Sequence, residues 1–461
     1  MKAVLSNMGF VMQMSGIFIL IPIILSFVYK ENAATIALFI TATLFFALGF
    51  LLNALCERKE LNFKESSSLI VLVFILLSII GAIPYLYLGI NDGSLMQRVT
   101  NSIFESASGF TTTGFSVIPD LSAIPKSIIF YRSLTQFLGG LGIVLVLLAF
   151  FYPSDKLEEF SRSMGFMKNG KIKKMLVIVL MIYFIYSLLL TGICFALGYK
   201  DIISLVSLIF SALSSGGFTP TNQLSVPYPI NYGLVIGMIL GASNFIVIAK
   251  LAKFRFRQFF QSEIPVLLTI IFGAFLAVKC LFNLSYFDSL FHIVSASTTT
   301  GFQYLPLAEM SDSLKLFLTF LMFIGGTSLS TAGGIKIYRF ILIFKSFKKA
   351  IHDSITREDR PIKQFGCEYT NSDVINALAI IILTIALAFV SALILTYYGF
   401  GLVDSLFEAT SAIATTGLTV GIVTPAIALE LKWLFITLMI LGRVEIIAFF
   451  IMLSRARQSK T

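Results

Sequence analysis

Charge is what this 461-residue chain has least of: only 13% of its residues are Asp, Glu, Lys or Arg, and only 24 are acidic. A soluble domain needs about twice that share of charge to coat its surface. Histidine is nearly missing too. His292 and His352 cannot build a multi-histidine metal centre. Four cysteines, Cys56, Cys194, Cys280 and Cys367, lack metal-ligand spacing and read as free thiols. No phosphate loop or nucleophile triad is present, so no catalytic residue is assigned and the chain reads as no enzyme.

Apolar residues are abundant: 57% of the chain, including 46 Phe, with a mean hydropathy of +0.92. The solvent of such a surface is itself apolar, so the chain reads as a polytopic membrane protein. Ten runs are long enough to cross a bilayer: Gly9–Tyr29, Ala34–Leu55, Leu69–Leu88, Ser127–Phe151, Met175–Leu197, Tyr232–Ala249, Ile264–Leu284, Leu314–Phe344, Val374–Tyr398 and Pro425–Leu453. The first lacks a small-residue cleavage site and reads as a retained helix, not a signal peptide.

A net charge of +10 suggests nucleic acid only if the basic residues form a face. Instead they cluster between apolar runs, as cytoplasmic loops do, so no nucleic-acid partner is expected. With the N-terminus inside, two thirds of the 34 Lys and Arg fall on the inner side, which makes both termini cytoplasmic. The longest inner segments, Lys156–Lys174 and Lys345–Lys363, read either as topology signals alone or as docking sites for regulatory subunits or anionic lipid.

One element recurs four times. Asp288–Phe302 (DSLFHIVSASTTTGF) matches Asp404–Leu418 (DSLFEATSAIATTGL) at nine of fifteen positions. Asn101–Phe115 ends in the same TTTGF, and Ser204–Phe218 is a weaker copy in register. From the element glycines Gly114, Gly217, Gly301 and Gly417, a second glycine follows 24 or 25 residues later: Gly139, Gly241, Gly325 and Gly442. The unit is helix, re-entrant segment, helix. Each unit holds two full spans, so all four point the same way across the membrane. The expected fold is all-α: four parallel helix–pore-loop–helix repeats about a central axis, plus two N-terminal transmembrane helices. The expected boundaries are 1–64 for the N-terminal pair, then 65–160, 161–258, 259–363 and 364–461 for the repeats.

Each element begins as a short helix and ends in Thr, Ser and Gly: Thr111, Thr112, Thr113, Gly114; Ser214, Ser215, Gly216, Gly217; Thr298, Thr299, Thr300, Gly301; Ala414, Thr415, Thr416, Gly417. Non-helical backbone at membrane depth is tolerated only where it is buried or lines a watery path. Glycine can turn successive carbonyl oxygens toward an axis, and rings of carbonyls can replace the hydration shell of a monovalent cation. The competing reading is that Thr and Gly merely let helices approach closely.

These elements, with STAGGIK at Ser330–Lys336 and LGR at Leu441–Arg443, resemble the potassium-translocating membrane subunits of the Trk/Ktr/HKT superfamily over nearly the whole chain. The two helices before the first repeat make the resemblance closer to the TrkH branch than to the shorter KtrB. The resemblance implies potassium uptake through a pseudo-fourfold pore, with K⁺ held at filter backbone carbonyls and Gly114, Gly217, Gly301 and Gly417 as filter glycines. It further implies a homodimer, a cytoplasmic ring of nucleotide-binding TrkA-like subunits, a bacterial cytoplasmic (inner) membrane, and no covalent cofactor.

Arg443 lies near the middle of a span, where insertion costs about 2.5–3.5 kcal/mol. Either it faces the pore just inside the filter, where it would repel ions, or it makes a structural ion pair, for instance with Glu445. The eighth span is interrupted by GGTSLSTAGG at Gly325–Gly334, which disfavours an unbroken helix. A flexible gating loop is expected there, with Gly325, Gly326, Gly333, Gly334, Lys336 and Arg443 as gate residues. Leu329 stands where the family pattern has a small residue. Lys336 either pairs with a carboxylate or carbonyl or snorkels to the inner surface. Nine residues before each element glycine stand Glu105, Leu208, His292 and Glu408. The three polar ones serve either proton coupling or, as favoured, hydrogen bonds to filter backbone and neighbouring helices, and Leu208 shows that the fold does not need a polar group in every repeat. The functional alternative to a gated channel-like pore is an obligatory K⁺/H⁺ or K⁺/Na⁺ symporter.

Overall fold

The computed structural model describes the chain apart from residues 1, 57–60, 62, 91, 143–171, 225–227, 252–253, 255, 283, 357–361, 365–366 and 454–461. The basic segment expected at Lys156–Lys174 lies, up to residue 171, outside the described residues. So do the end of the span expected to reach Phe151 and the basic tail from residue 454.

Five helices among the described residues are long and apolar enough to span a membrane: Lys2–Val28, Asn32–Leu55, Lys64–Tyr87, Ile264–Phe282 and Asn371–Tyr397. The N-terminal pair crosses at two glycines. A Cβ on Gly9 would stand 2.7 Å from the Gly49 carbonyl, and one on Gly49 2.8 Å from the Gly9 carbonyl. Small residues at a helix crossing bring backbones together where lipid supplies no hydrophobic drive. Between the pair, Glu31 accepts from the backbone N–H groups of Lys126 (2.7 Å) and Ser127 (3.0 Å). Its carboxylate thereby caps the positive end of the helix that starts there.

Four helical units follow. Their outer helices are Phe63–Ile80, Ile172–Ala196, Ile264–Phe282 and Asn371–Tyr397. Short buried helices come next: Leu95–Phe110, Ile202–Leu213, Tyr286–Ser297 and Leu402–Ile413. The inner helices begin at Lys126–Phe137, Tyr228–Ala242, Asp312–Ile324 and Leu429–Val444. Each short helix buries at least one large apolar side chain completely (Phe104, Leu208, Phe291, Phe407), while large apolar residues such as Phe27, Phe50, Phe272 and Phe389 face outward, as lipid requires.

The inner helices differ from expectation. Only the third was expected to break, and it does, at 325–336. The others are interrupted at the same level. The first passes into a π turn at Leu138–Gly142, the second stops at Ser243–Asn244, and the fourth breaks at Glu445. Asn244 causes its break by accepting the N–H groups of Ile246 (3.1 Å) and Val247 (3.3 Å), a local alternative to helical bonding. Glu445 adopts φ +59. A two-stranded hairpin, Ile362–Gln364 with Cys367–Tyr369, was not anticipated.

Candidate functional site

All four short helices end in the same way. The first residue after each helix (Thr111, Ser214, Thr298, Ala414) stays near helical angles. The second is left-handed: Thr112 φ 57, Ser215 φ 52, Thr299 φ 51 and Thr415 φ 49. The third donates its N–H back five residues: Thr113 to Ser108 (2.9 Å), Gly216 to Ser211 (2.8 Å), Thr300 to Ser295 (2.9 Å) and Thr416 to Ser411 (2.8 Å). This is a Schellman ending, which usually places glycine at the left-handed position. A Thr or Ser there costs about 1–2 kcal/mol each.

The fourth position is glycine, again left-handed, with φ from 74 to 92. A Cβ on Gly114 would collide with the Gly216 carbonyl, one on Gly217 with that of Thr300, one on Gly301 with that of Thr416, and one on Gly417 with that of Thr113. Each glycine faces the carbonyl just before the glycine of the next unit, and the fourth returns to the first. The four segments form one closed ring. Any side chain at any of the four glycines would break it.

A second set of glycines lies below. Gly139, Gly241 and Gly442 press on the last carbonyls of their own short helices, Phe110, Leu213 and Ile413. The third unit departs: Gly325 is left-handed (φ 69) and packs on the Gly333 carbonyl of its own loop. That loop turns back beneath the ring. Thr331 reaches Leu213 O (2.8 Å), Gly241 O (2.9 Å) and the Ser215 hydroxyl (2.8 Å). Gly333 N–H donates to the Thr299 hydroxyl at 2.6 Å, and Gly334 N–H to Ala414 O at 3.1 Å. Two of the four left-handed hydroxyls, Ser215 and Thr299, are thus held by the loop; those of Thr112 and Thr415 are buried without a hydrogen-bond partner among the described residues.

Arg443 closes the arrangement on the remaining side. Its guanidinium donates to Thr331 O (3.0 Å), Gly139 O (2.7 Å) and Gly140 O (2.6 Å), tying loop to first unit. The alternative partner, Glu445, pairs instead with Arg339 at 2.6 Å. Lys336 donates to Ala332 O within its own loop. Gly326 has the loop's Ala332 and Ser330 as its nearest side chains. Leu329, where a small residue was expected, sits at φ 53, the region that favours glycine.

The polar residues nine before the ring glycines hold backbone. Glu105 accepts from Ser116 and from Val117 N–H (3.2 Å), and pairs with buried Arg132 at 2.7 Å. Glu408 accepts from the Thr419 hydroxyl (2.6 Å) and from Val420 and Val423 N–H (both 2.9 Å). His292 Nδ1 faces Asp288 O at 2.9 Å, while Nε2 accepts the N–H groups of Tyr304 and Leu305, both at 3.4 Å. Each hydrogen-bonds the chain that leaves its own ring segment. Leu208 cannot, and the second unit borrows its ties from the first: Arg132 donates to Thr219 O at 2.9 Å, and Gln136 contacts Gly216 and Phe218. Sequence reasoning missed both residues. They stand at −7 and −3 from Gly139, and their partners in the second unit are 75 to 87 residues away.

The profile of the TrkH family, described as a cation transport protein, matches residues 34–264 and 276–460. A cation transporter of Methanocaldococcus jannaschii is 32% identical, with 97% of this chain and 94% of that protein aligned. The Trk system potassium uptake protein TrkG of Escherichia coli is 28% identical, over 97% of this chain and 96% of the relative. The crystal structure of the potassium transporter TrkH from Vibrio parahaemolyticus superposes with a TM-score of 0.84, covering 98% of both chains at 24% identity, which bears on fold alone. These are transport proteins, in agreement with a chain read as no enzyme. A family match over nearly its full length, together with a 32% identical relative spanning it, makes this chain a member of the TrkH family of cation transport proteins.

Proposed function

We propose that the chain takes up potassium across the cytoplasmic membrane through the ring of four re-entrant segments. In this reading Thr111–Gly114, Ser214–Gly217, Thr298–Gly301 and Ala414–Gly417 are the selectivity filter, and their backbone carbonyls bind K⁺. The loop at 325–334, with Lys336 and Arg443, is the gate. The observation that carries the reading is the cyclic contact of the four glycines with the carbonyls of successive units. A merely structural use of Thr and Gly gives no reason for closure around an axis, nor for four strained hydroxyl-bearing residues at one level.

The loop's contacts beneath three segments, and Arg443's contacts with the fourth side, support a closed gate. Opening requires Thr331 and Gly333 to leave their partners. The obligatory symporter gains no support from Glu105, His292 or Glu408, since backbone groups occupy all three. The homodimer is supported by an apolar stripe on helix Ile337–Thr356, where Phe344, Phe347, Ile351 and Ile355 are exposed among lysines. The nucleotide-binding regulatory ring and the cytoplasmic placement of both termini rest on the family resemblance and the charge distribution.

Replacement of Gly301 by Asp tests the filter. The side chain would drive into the Thr416 carbonyl. Potassium uptake is expected to vanish while the protein still inserts and elutes as a single species from a sizing column. Retained uptake would remove the assignment.

A further inference from the structure

The second unit departs from the other three at one position of the ring. The segments read Thr-Thr-Thr-Gly, Ser-Ser-Gly-Gly, Thr-Thr-Thr-Gly and Ala-Thr-Thr-Gly, so only the second has glycine third. Gly216 is not among the residues with positive φ, so its backbone angles do not demand glycine. A side chain from another unit does. A Cβ on Gly216 would stand 2.8 Å from Nε2 of Gln136 and closer still to its carboxamide carbon.

Gln136 lies fully buried in the inner helix of the first unit, and every polar atom of its side chain is used. Nε2 donates to the Gly216 carbonyl. Oε1 accepts from the Ser211 hydroxyl and from Phe218 N–H at 3.3 Å. Ser211 is diverted by this bond. At the same register, Ser108 and Ser411 accept the N–H of Gly114 and Gly417, both at 3.0 Å. In the first and third units, the threonine at the third position is paired with the one at the first, at 2.8 Å in both. The second unit lacks that pair, and Gln136 occupies its place.

The ring of carbonyls is therefore unequal. Among the described residues, no hydrogen bond falls on the third-position carbonyls of Thr113, Thr300 or Thr416, whereas that of Gly216 receives an amide N–H. A carbonyl committed to a protein donor offers less of its lone-pair density to a cation. Number and field strength of carbonyl ligands both bear on discrimination between K⁺ and Na⁺. We propose that Gln136 is a positioning residue that sets ion selectivity: supplied by the first unit, it replaces the missing threonine of the second and restrains its carbonyl. The ring then presents three free carbonyls and one shared at this level. The inference deepens the filter reading and rests on it.

The test is thermal unfolding of the full-length protein purified in detergent, in KCl or NaCl at equal concentration. A cation bound only by the folded state raises Tm by mass action, and this readout needs no open gate. Wild type, Gln136→Leu, Gly216→Thr and the double variant Gln136→Ala/Gly216→Thr are compared. The wild type should melt higher in KCl. Gly216→Thr should lose at least half of that K⁺-specific rise, as should Gln136→Leu; in the double variant the threonine has room but its carbonyl stays unshared, so the overall Tm should recover relative to Gly216→Thr while the K⁺-specific rise should not. A general loss of stability would lower Tm equally in both salts and would overturn the proposal. So would single variants that keep the wild-type difference, or a double variant that shows the full wild-type difference without the Gln136 amide. If Gly216→Thr yields no folded protein, Gln136→Leu decides by the same comparison. A wild type without a K⁺-specific rise would overturn the filter reading itself, and this inference with it.

Discussion

Two glutamates in the short helices, Glu105 and Glu408, show how similar-looking polar groups carry different loads. Glu105 is buried against Arg132, and both are essentially inaccessible. Removing one charge leaves the other unpaired in a low dielectric, which costs about 3–5 kcal/mol. Glu408 faces a hydroxyl and two backbone N–H groups but no cation. An amide in its place turns one acceptor into a donor pointed at donors, a cost of about 1–3 kcal/mol. Glu105→Gln is therefore expected to lower thermal stability in detergent more than Glu408→Gln does. The same assignments predict that a proton gradient imposed at fixed voltage leaves K⁺ uptake unchanged. An uptake rate that follows the proton gradient would return His292, Glu105 and Glu408 to a coupling role.

Arg443 belongs to the same scale. One planar guanidinium spans three carbonyls from two segments of chain, a fork that an ammonium point charge does not reproduce. Arg443→Lys should loosen the loop while keeping the charge, and Arg443→Gln should loosen it and remove the charge. Uptake is expected to rise in both, and further in the glutamine variant. Equal uptake in the two would mean that its charge does not oppose permeation.

Among the elements, the loop at 325–336 is the proposed gate. Its hold on the ring runs chiefly through the Thr331 hydroxyl, which reaches Leu213, Gly241 and Ser215. Valine has the same shape without the hydroxyl. One hydrogen bond is worth about 0.5–1.5 kcal/mol net, so Thr331→Val should raise the open fraction about two- to tenfold. Potassium flux through the protein in liposomes, without added subunits, measures it. The break in this helix was legible because four glycines fall in ten residues. The matching breaks in the second and fourth inner helices were not, since Asn244 and Glu445 are tolerated inside helices. Their effect depends on a side-chain cap in one case and a left-handed backbone in the other.

For the whole molecule, repetition was the legible feature. Two glycine landmarks at constant spacing disclosed four units, their common orientation and the segments that meet. The order of contact around the ring was beyond the sequence, because each glycine touches a carbonyl from the next unit and carbonyls leave no trace in residue identity. Exceptions among the units were equally hidden. Gly216 looks like a harmless variation until Gln136, 80 positions earlier, is found where the threonine would be. Leu208 in place of a polar group reads as freedom from constraint, yet its unit is tied to the first by Arg132 of the first unit, which donates to Thr219 O, and by Asn222 of the second, which donates to Pro119 O.

The central claim is that four segments close around one cation path. Its most direct test is tracer flux into liposomes containing the purified protein, with K⁺, Rb⁺ and Na⁺ compared at a fixed voltage. Thr331→Val is measured beside the wild type, so that a closed gate is not mistaken for a missing pore. Selective K⁺ and Rb⁺ entry that needs no second ion and disappears in Gly301→Asp is the predicted result. Equal entry of Na⁺, or entry that survives Gly301→Asp, would contradict it.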